Sequence, residues 1–263
     1  MEIKISSEKS LYDNISSYYD ASKKAKNKLS NMEKLIEAAR KDLEKKINEK
    51  EVKKESLQKK QKMEWFEKFH WFYTSNNFLV ISGRDKKSNE TIVKKHLEKE
   101  DIYFHSEIVG AAHTIVKNGI KAGKEDLEEA AVFAGIFSKA WTAGLHNIDV
   151  YSVNAEQVSK SAPSGQSIGT GEFMIYGKRK YFKNVSLNFA VGIQIEKDSY
   201  KIISGPVSSV KKHCKVLREL IQGPSIKSIS AKKLQFLFSK ESGIRPSIDE
   251  LIRMIPEKTT ISP

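Results

Sequence analysis

The first third of the chain carries a helical pattern of apolar and polar positions. No glycine or proline precedes Gly83, so neither helix breaker interrupts this stretch. One set of positions recurs at alternating spacings of four and three, with a single polar member: Leu11, Ile15, Tyr18, Ser22, Ala25, Leu29, Met32, Ile36, Ala39 and Leu43. This a/d pattern predicts one long helix from about Ser7 to Phe72. At 1.5 Å per residue, its length would be roughly 90–100 Å.

An apolar seam of this kind needs a second helix to cover it. We therefore expect a coiled-coil arm over residues 1–72. The partner helix would come either from a missing part of the same protein, in cis, or from another chain, in trans. For the lysines of the arm, the ordinary interpretation is a solvated coiled-coil face.

The pattern changes after the arm to that of a compact α+β domain over residues 73–222. Alternating or continuous apolar runs predict strands at Phe78–Ser82, Ile102–His105, Thr114–Lys117, Asp149–Val153, Glu172–Tyr176, Val185–Ile195 and Tyr200–Ile203. Helical spacing predicts helices at Ser88–Leu97, Glu125–Trp141 and Val207–Ile221. Gly223 and Pro224 then open a C-terminal helical tail, residues 223–263, with short helical patterns at Ser230–Ser239 and Pro246–Met254.

Aromatic residues are concentrated where the predicted arm enters this domain. Trp65, Phe66, Phe69, Phe72 and Tyr73 follow spacings of mostly three and four. Rings beside cations are typical of RNA-binding surfaces, but helical spacing is typical of packing. We expect these rings to form an apolar joint rather than a base-stacking surface.

Composition and charge narrow the class of partner. The chain of 263 residues is 39% apolar and 30% charged, with a formal net charge of +13. The apolar content supports a real core, and the basic balance favours phosphate backbones over membranes or acidic proteins. A single cysteine, Cys214, excludes an intramolecular disulfide and a cysteine-built zinc site. Without an apolar signal core or a membrane-length apolar run, we expect a soluble cytoplasmic protein with no membrane partner.

Candidate chemistry begins with the six histidines. None stands in a metal-binding motif such as HxxxH or HExxH, so no metal site is expected. His105 and Glu107 share one side of a predicted strand, which leaves an acid/base pair open. Ordinary polar residues at a strand end explain the pair better, and no GxSxG motif supports a serine nucleophile.

Two segments contain residue types that can bind phosphate groups. Residues 157–173 combine three glycines, several hydroxyls and one lysine without a Walker motif. A phosphate-binding loop and a purely structural loop are equally good interpretations of this stretch. Residues 177–182, Gly-Lys-Arg-Lys-Tyr-Phe, place three cations beside two rings in a predicted hairpin. Cations suit phosphates and rings suit unstacked bases, whereas the alternative is a charged turn between packed aromatics.

These segments together carry a family resemblance. The runs WFEKFHWFYTSNNFLVISGRDKKSNETIVKKHL, DIYFHSEIVGAAHTIVKN, AVFAGIFSKAW, QVSKSAPSG and GEFMIYGK resemble, in order, the NFACT-R domain of the NFACT ribosome quality-control family. The resemblance covers roughly Tyr12 to Lys212, and residues near Tyr18 and Lys23 are similar to the second strand of that family's coiled-coil arm. Family motif positions fall on Arg84, Asp85, His105, Gly110, Lys160, Ser164, Gly165, Gly177 and Lys178.

The resemblance implies an RNA-binding module in the rescue of stalled translation. NFACT proteins bind a separated large ribosomal subunit carrying peptidyl-tRNA, recruit tRNA and support untemplated tailing of the nascent chain. The chain departs from the family at His105-Ser106-Glu107, where the family usually has His-Ala-Asp, and at Lys180, where it often has Asn. An NFACT-N domain and a partner strand for the coil are missing. We therefore expect either a fragment beginning at an introduced Met1 or a short family member acting with another chain.

The sequence thus predicts a non-enzymatic module that binds rRNA or tRNA on the large ribosomal subunit, without cofactor or catalytic residues. The expected RNA and phosphate contacts are Arg84, Lys94, Lys95, His105, Lys160, Ser164, Gly165, Gly169, Gly171, Lys178, Arg179, Lys180 and Tyr181. Tyr181 is the expected stacking platform. A coiled-coil scaffold without RNA contact is the alternative, and a phosphate-ester enzyme using His105, Glu107 and the glycine-rich loop is the third hypothesis.

Overall fold

A computed structural model describes residues 5–8, 10–55, 63–108, 110–159, 161, 168–196 and 199–262. The chain divides into two compact units, Met1–Lys59 and Lys60–Pro263. Helices and strands are numbered below in chain order.

The first unit contains the helix α1, Leu11–Glu55. Ser10 caps its start, because the Ser10 hydroxyl accepts a hydrogen bond from the Asp13 N–H at 3.1 Å. The Asn14 side chain bonds to both backbone groups of Ser6, and this fixes the entry of the chain into the helix. Apolar members of the predicted seam, such as Leu11, Leu29 and Ile36, are exposed on this helix.

The predicted continuation of this helix to Phe72 is wrong. Residues Trp65–Lys68 form a single 3₁₀ turn, and His70–Tyr73 is the strand β1. Trp71 and Phe72 are both buried although they are adjacent, because neighbouring residues of a strand point to opposite faces. Burial on two faces of a sheet thus outweighs the helical spacing of the aromatics. Residues 56–62 lie outside the described part of the chain.

A six-stranded antiparallel sheet forms the centre of the second unit. Its strands, in spatial order β1-β2-β4-β3-β5-β8, are β1, β2 (Leu79–Ser82), β4 (Thr114–Val116), β3 (Ile102–Ser106), β5 (Asn147–Asn154) and β8 (Lys180–Ser186). Adjacent residues alternate between two buried clusters; Phe104, for example, belongs to one and Tyr103 to the other. Both faces of this sheet are therefore covered, and the strands predicted near residues 80, 103, 115 and 151 are confirmed.

Helices connect these strands and pack on both faces of the sheet, with Ile92 and Val93 in the cluster of Tyr103, and Phe133 and Trp141 in the cluster of Phe104. They are α2 (Lys86–Thr91), which continues as a π-helical turn over Ile92–His96, then α3 (Lys124–Ile136) and α4 (Lys139–Thr142). Short 3₁₀ turns occur at Gly119–Lys121 and Ala155–Gln157. The predicted helix Glu125–Trp141 is interrupted, because Ser138 is extended and its hydroxyl caps α4 through the Ala140 N–H at 3.1 Å.

A second antiparallel sheet has the order β10-β9-β11-β12. Its strands are β9 (Phe189–Glu196), β10 (Ser199–Gly205), β11 (Val216–Gln222) and β12 (Thr259–Ile261). A two-stranded ribbon pairs β6 (Val158–Ser159) with β7 (Met174–Ile175). The single strand predicted at Val185–Ile195 is in fact parts of β8 and β9, and the strand predicted at Glu172–Tyr176 is only the short β7.

The helix predicted over Val207–Ile221 is also wrong in its second half. Helix α5 (Val207–His213) is followed by β11, which pairs with β9 on one side and β12 on the other. Leu220 is buried between them. The pairing partners lie far away in sequence, so the strand has no local signal strong enough to overcome its helical composition.

The C-terminal residues pack into the same unit. Helices α6 (Lys227–Ser242) and α7 (Ile248–Met254) bury Leu234, Phe238 and Leu251 in the core cluster beside α3. The Trp141 indole N–H donates to the Thr259 hydroxyl at 3.1 Å, which ties β12 to α4. None of the helices in the described part of the chain is both long enough and apolar enough to cross a membrane.

Candidate nucleic-acid interface

A cleft of about 800 Å³ opens in the second unit. The term cleft denotes the cavity between the β2–α2 turn, the segment 110–113, the α3–α4 junction, the segment 170–173 and the C-terminal residues near Lys227 and Glu257. Its buried lining includes Ala112, His113 and Trp141. These elements are distant in sequence, so the fold itself creates the cavity.

Four cations line the cleft, and three of them are exposed: Arg84, Lys86 and Lys139. The fourth, Lys227, is paired with Glu257 at 3.1 Å. The Arg84 guanidinium donates to the Phe69 carbonyl oxygen at 2.9 Å. Although Arg84 is exposed as a whole residue, partial desolvation of its guanidinium lowers its pKa, and the charge of Arg253 acts in the same direction. Within the described residues, neither Lys86 nor Lys139 forms an ion pair.

Three histidines also line the cleft, and all three favour the neutral form. Burial lowers the pKa of His70 well below its ordinary value, and it lowers the pKa of His113 to about 3. His113 Nδ1 lies 2.5 Å from the Tyr103 hydroxyl, and the His70 ring stacks on Phe137 with centroids 3.8 Å apart. Burial lowers the pKa of His105 too, although hydrogen bonds to backbone groups act against it. At neutral pH these rings therefore offer hydrogen bonds and flat surfaces rather than charge.

Glycines bring the walls of the cleft close together. Gly171 has φ +79°, and a Cβ added there would lie 2.7 Å from the Lys86 carbonyl oxygen. A Cβ on Gly83 would lie 1.8 Å from the side-chain oxygen of Asn89, which accepts a hydrogen bond from the His113 N–H at 3.1 Å. Both positions need the absence of a side chain, and together they fix the backbone near Lys86 and His113.

Asp85, a family motif position in the sequence, has a structural role. Its carboxylate accepts a hydrogen bond from the Ser88 N–H at 2.7 Å and caps helix α2. That hydrogen bond is the main cause of the lowered pKa of Asp85. The cap sets the direction in which α2 leaves the cleft, beside Arg84 and Lys86.

The β8 edge, defined as residues 178–183, is a second cationic surface. Strand β8 is the last strand in the order of the six-stranded sheet. Arg179 forms an ion pair with Glu107 at 3.0 Å, and the Tyr181 hydroxyl donates to the same carboxylate at 2.9 Å. Lys183 lies 2.6 Å from Asp149 and 4.7 Å from the centroid of the Tyr181 ring. Two of the four cations of this surface are therefore already engaged with carboxylates.

A cross-strand row of rings connects the two surfaces. His105, Tyr151 and Tyr181 are direct partners on β3, β5 and β8, with successive ring centroids 6.0 Å apart. The Arg179 guanidinium lies 4.5 Å above the Tyr151 ring. His105 lines the cleft, Tyr151 is buried and Tyr181 is 43% exposed, so the row runs from the cleft to the β8 edge.

The structure brings together part of the predicted site. Arg84, His105 and Gly171 line the cleft, and Gly169 lies next to it, where its N–H donates to Glu172. Lys178, Arg179, Lys180 and Tyr181 form most of the β8 edge. Lys94 and Lys95 are exposed on the π-helical turn and do not line the cleft. Lys160, Ser164 and Gly165 lie outside the described residues.

Sequence reasoning missed several residues of the cleft, namely His70, Lys86, His113, Lys139 and Lys227. Lys86 could have been found, because it follows Arg84 and Asp85 directly in the chain. Lys139 and Lys227 carry no local signal, since only the packing of α4 and α6 brings them to this cavity.

Three further findings limit the chemistry. Among the residues that the structure describes, no group of three His, Cys, Asp or Glu side chains is arranged to hold a metal ion. His105 and Glu107 do not form the acid/base pair that the strand pattern left open, since Glu107 bonds to Arg179 and Tyr181 instead.

Burial raises the pKa of the Cys214 thiol to about 12, so this thiol is a packing group.

Comparison with known proteins gives a consistent picture. Residues 68–177 match the family described as "NFACT protein RNA binding domain". The chain is 38% identical over 210 residues to the archaeal Rqc2 homolog aRqcH of Methanocaldococcus jannaschii, covering 77% of this chain and 30% of that protein. It is 41% identical over 175 residues to the ribosome quality control complex subunit NEMF of Mus musculus, covering 65% of this chain and 16% of that protein.

The region shared with these relatives is larger than the family domain itself. The alignment with the Saccharomyces cerevisiae ribosome quality control complex subunit 2 has 30% identity over 166 residues, 60% of this chain and 16% of that protein. The chain thus spans less than a third of the length of each of these three relatives.

Proposed function

Since this chain belongs to the NFACT ribosome quality-control family, we propose that its second unit is an RNA-binding module acting on stalled large ribosomal subunits that carry peptidyl-tRNA. The observation that carries the proposal is the match of residues 68–177 to an RNA-binding domain that contains most of the cleft. Its RNA would be rRNA or tRNA. The activity is binding, with no bond made or broken by this chain.

The proposed interface combines the cleft and the β8 edge. Arg84, Lys86 and Lys139 supply charge for phosphates at the cleft, and Lys178 to Lys180 supply it at the edge. Tyr181 is exposed enough to offer its ring to an unpaired base. The row His105–Tyr151–Tyr181 holds the two surfaces on one rigid sheet, which favours simultaneous contact with one RNA.

The remaining predicted contacts join this proposal with less support from geometry. Lys94 and Lys95 would extend the charged surface along the π-helical turn, and Lys160, Ser164, Gly165 and Gly169 would add a backbone-lined phosphate site. His105 would contact RNA as a neutral ring, since burial lowers its pKa.

We also propose that α1 is one half of a coiled coil. Its exposed apolar positions, among them Leu11, Ile15, Leu29 and Ile36, need a covering helix. That helix would belong to a further segment of a longer protein, in cis, or to a second chain, in trans. The cytoplasmic setting expected from the sequence remains a prediction.

The test is salt-dependent RNA binding measured by fluorescence polarisation. Replacing Lys178, Arg179 and Lys180 with alanine should weaken binding and make the plot of log affinity against log salt less steep. On single-stranded RNA the slope should fall by about 0.7 for each phosphate that the variant no longer neutralises. The matched control replaces Lys232, Lys233 and Lys240, which belong to α6, and removes the same charge.

Equal effects of the two triple variants would remove the β8 edge from the interface. No RNA binding by the parent protein at any salt concentration would overturn the proposed function. In that case the coiled-coil scaffold without RNA contact would be the better interpretation, and sedimentation of the chain with its partner helix would become the decisive measurement.

A further inference from the structure

The cleft differs in chemistry between its interior and its solvent side. Its interior is apolar or neutral, with Ala111, Ala112 and Trp141 buried. The solvent side carries the exposed cations Arg84, Lys86 and Lys139. Three exposed carboxylates also line it, and each already has a partner: Asp85 accepts from the Ser88 N–H, Glu172 accepts from the Gly169 N–H, and Glu257 pairs with Lys227. A nucleotide is complementary to this arrangement. The two faces of its base are flat and largely apolar, and its phosphate is anionic.

Aromatic rings are present where a base would enter. His70 and Phe137 both line the cleft and stack on each other with an interplanar angle of 16°. Phe173 lines it from the segment 170–173 and meets His113 edge to face, with centroids 5.3 Å apart. Rings held in place by such contacts lose little conformational freedom when a base packs against them.

The shape of the cavity selects against a regular double helix. Duplex phosphates lie on a convex surface, so groups inside a concave cleft are out of their reach. A base that protrudes from a loop, a bulge or a strand end can enter such a cavity, and its unstacking cost is lowest when it is already unpaired. The volume of about 800 Å³ is within the range of small-ligand sites, roughly 300–1,000 Å³, and is sufficient for one nucleotide.

We propose that the cleft receives a single unpaired ribonucleotide, with its base beside Phe137 and Phe173 and its phosphates at Arg84, Lys86 and Lys139. This inference rests on the proposed RNA-binding function and specifies its ligand. The β8 edge then contacts the neighbouring backbone, and the cleft distinguishes unpaired from paired nucleotides.

The neutral histidines support this assignment of roles. A site for phosphate alone would benefit from protonated imidazoles, yet burial holds the pKa values of His70, His105 and His113 below their ordinary value. The groups that face them include the cations Arg84 and Lys227 for His70, and Arg179 and the carboxylate Glu107 for His105. Burial outweighs the influence of Glu107, and the imidazoles remain uncharged walls of the cleft.

The experiment uses the full chain and two RNA duplexes that differ in one nucleotide. In one, a 2-aminopurine forms a single-nucleotide bulge; in the other, the same residue is base-paired. The bulged RNA should bind about tenfold more tightly, consistent with the energy of one base–aromatic stack. The fluorescence of 2-aminopurine should change only on binding of the bulged RNA, because only that base changes its surroundings.

Two variants locate the effect. Phe173→Ala removes a ring that lines the cleft, and Thr170→Trp fills the cleft from an exposed position without removing a packed group. Both should abolish the preference for the bulge. Tyr176→Ala, which removes an exposed ring outside the cleft in the same stretch of chain, should preserve it. If Phe173→Ala fails to fold, Thr170→Trp alone decides the matter.

Equal affinity for both RNAs, with RNA binding intact, would overturn this inference and leave the proposed function standing. The same holds if the preference persists in Thr170→Trp, since the discriminating site would then lie elsewhere. Absence of binding to either RNA would overturn both proposals.

Discussion

The cleft and the β8 edge carry similar numbers of cations but differ in how those cations are held. At the edge, Arg179 and Lys183 are paired with Glu107 and Asp149. In the cleft, Arg84 bonds to a neutral carbonyl, and Lys86 and Lys139 form no ion pair with the described residues. A phosphate must therefore displace a carboxylate at Arg179 and Lys183 of the edge, whereas in the cleft this holds only for Lys227, which is paired with Glu257. The number of lysines and arginines in a segment is therefore a poor measure of its phosphate affinity.

The two surfaces also differ in what a side chain would contact at a glycine of positive φ. Gly171 in the cleft and Gly177, which directly precedes the β8 edge, both have positive φ, +79° and +76°. A Cβ on Gly171 would lie 2.7 Å from the Lys86 carbonyl oxygen, whereas one on Gly177 would lie 2.9 Å from Gln157 Nε2, a side-chain atom that donates to the Tyr176 and Lys178 carbonyl oxygens. A substitution at Gly171 therefore meets backbone, and one at Gly177 meets a side chain that can shift by giving up hydrogen bonds.

The largest expected effect comes from breaking the cleft wall. Gly171→Ala should lower the free energy of unfolding by about 2–4 kcal/mol, because left-handed strain adds to a backbone clash. Gly177→Ala should cost about 1–2 kcal/mol, as should Gly144→Ala, which has φ +78° and open space around it. Urea denaturation of the three variants measures the difference. Equal losses would mean that the two surfaces are equally adjustable.

Acid should destabilise the cleft more than the edge. His113 binds a proton near pH 6.5 in the unfolded chain but only near pH 3 in the folded state. The free energy of unfolding should therefore fall by about 1.4 kcal/mol per pH unit from this group as the pH drops below 6.5, or roughly 2 kcal/mol at a pH of about 5.

The pH dependence can be assigned by substitution. His113→Gln retains a hydrogen-bonding group for Tyr103 but no titrating ring, so the dependence of stability on pH should become shallower below pH 6.5. His146→Gln, at an exposed position outside the cleft, is the control. An unchanged pH dependence in His113→Gln would show that the buried imidazole is not the source.

Removing the unpaired cations should weaken RNA binding moderately. Lys86→Ala with Lys139→Ala should reduce affinity about tenfold and the salt slope by about 1.4 if the two lysines neutralise two phosphates of an unpaired strand. The control pair Lys121→Ala with Lys124→Ala removes the same charge from two exposed lysines that lie outside the cleft. Similar reductions for both pairs would indicate long-range charge attraction rather than direct binding at the cleft.

The smallest expected effect concerns the ion pair between Arg179 and Glu107 at the β8 edge. Glu107→Gln should raise RNA affinity about two- to threefold, because releasing Arg179 from an exposed ion pair is worth less than about 1 kcal/mol. Glu100→Gln, which breaks the exposed pair with Lys121, controls for the removal of one negative charge. A polarisation titration in which Glu107→Gln and Glu100→Gln behave alike would mean that Arg179 does not contact RNA.

Strands with their own apolar pattern can be predicted from the sequence. Those at β2, β3, β4 and β5 are recognisable because buried residues on both faces leave continuous apolar runs. The strand β11 is not recognisable, since its pairing with β9 and β12 depends on distant residues. The end of the long helix is mispredicted for a related reason: the aromatic spacing that suggests a helix belongs to a 3₁₀ turn and a strand.

The candidate site divides in the same way. Local motifs identify Arg84, Gly171 and the segment 178–181 as candidates for the interface. They cannot reveal that Glu107 forms an ion pair with Arg179, because only the pairing of β3, β5 and β8 brings the two residues together. Nor can they reveal Lys139 and Lys227, which reach the cleft through packing of α4 and α6.

The tie between Trp141 and Thr259 has a consequence for folding order. Lys227, Pro256 and Glu257 complete the cleft, yet they follow Arg84 by most of the length of the domain. Contacts between such distant positions form after local hairpins, because closing a long loop costs more conformational entropy than closing a short one. Ribonucleotide binding in the cleft would then require that the C-terminal residues are packed. The rate at which binding recovers during refolding would therefore report the rate of the last step of domain assembly.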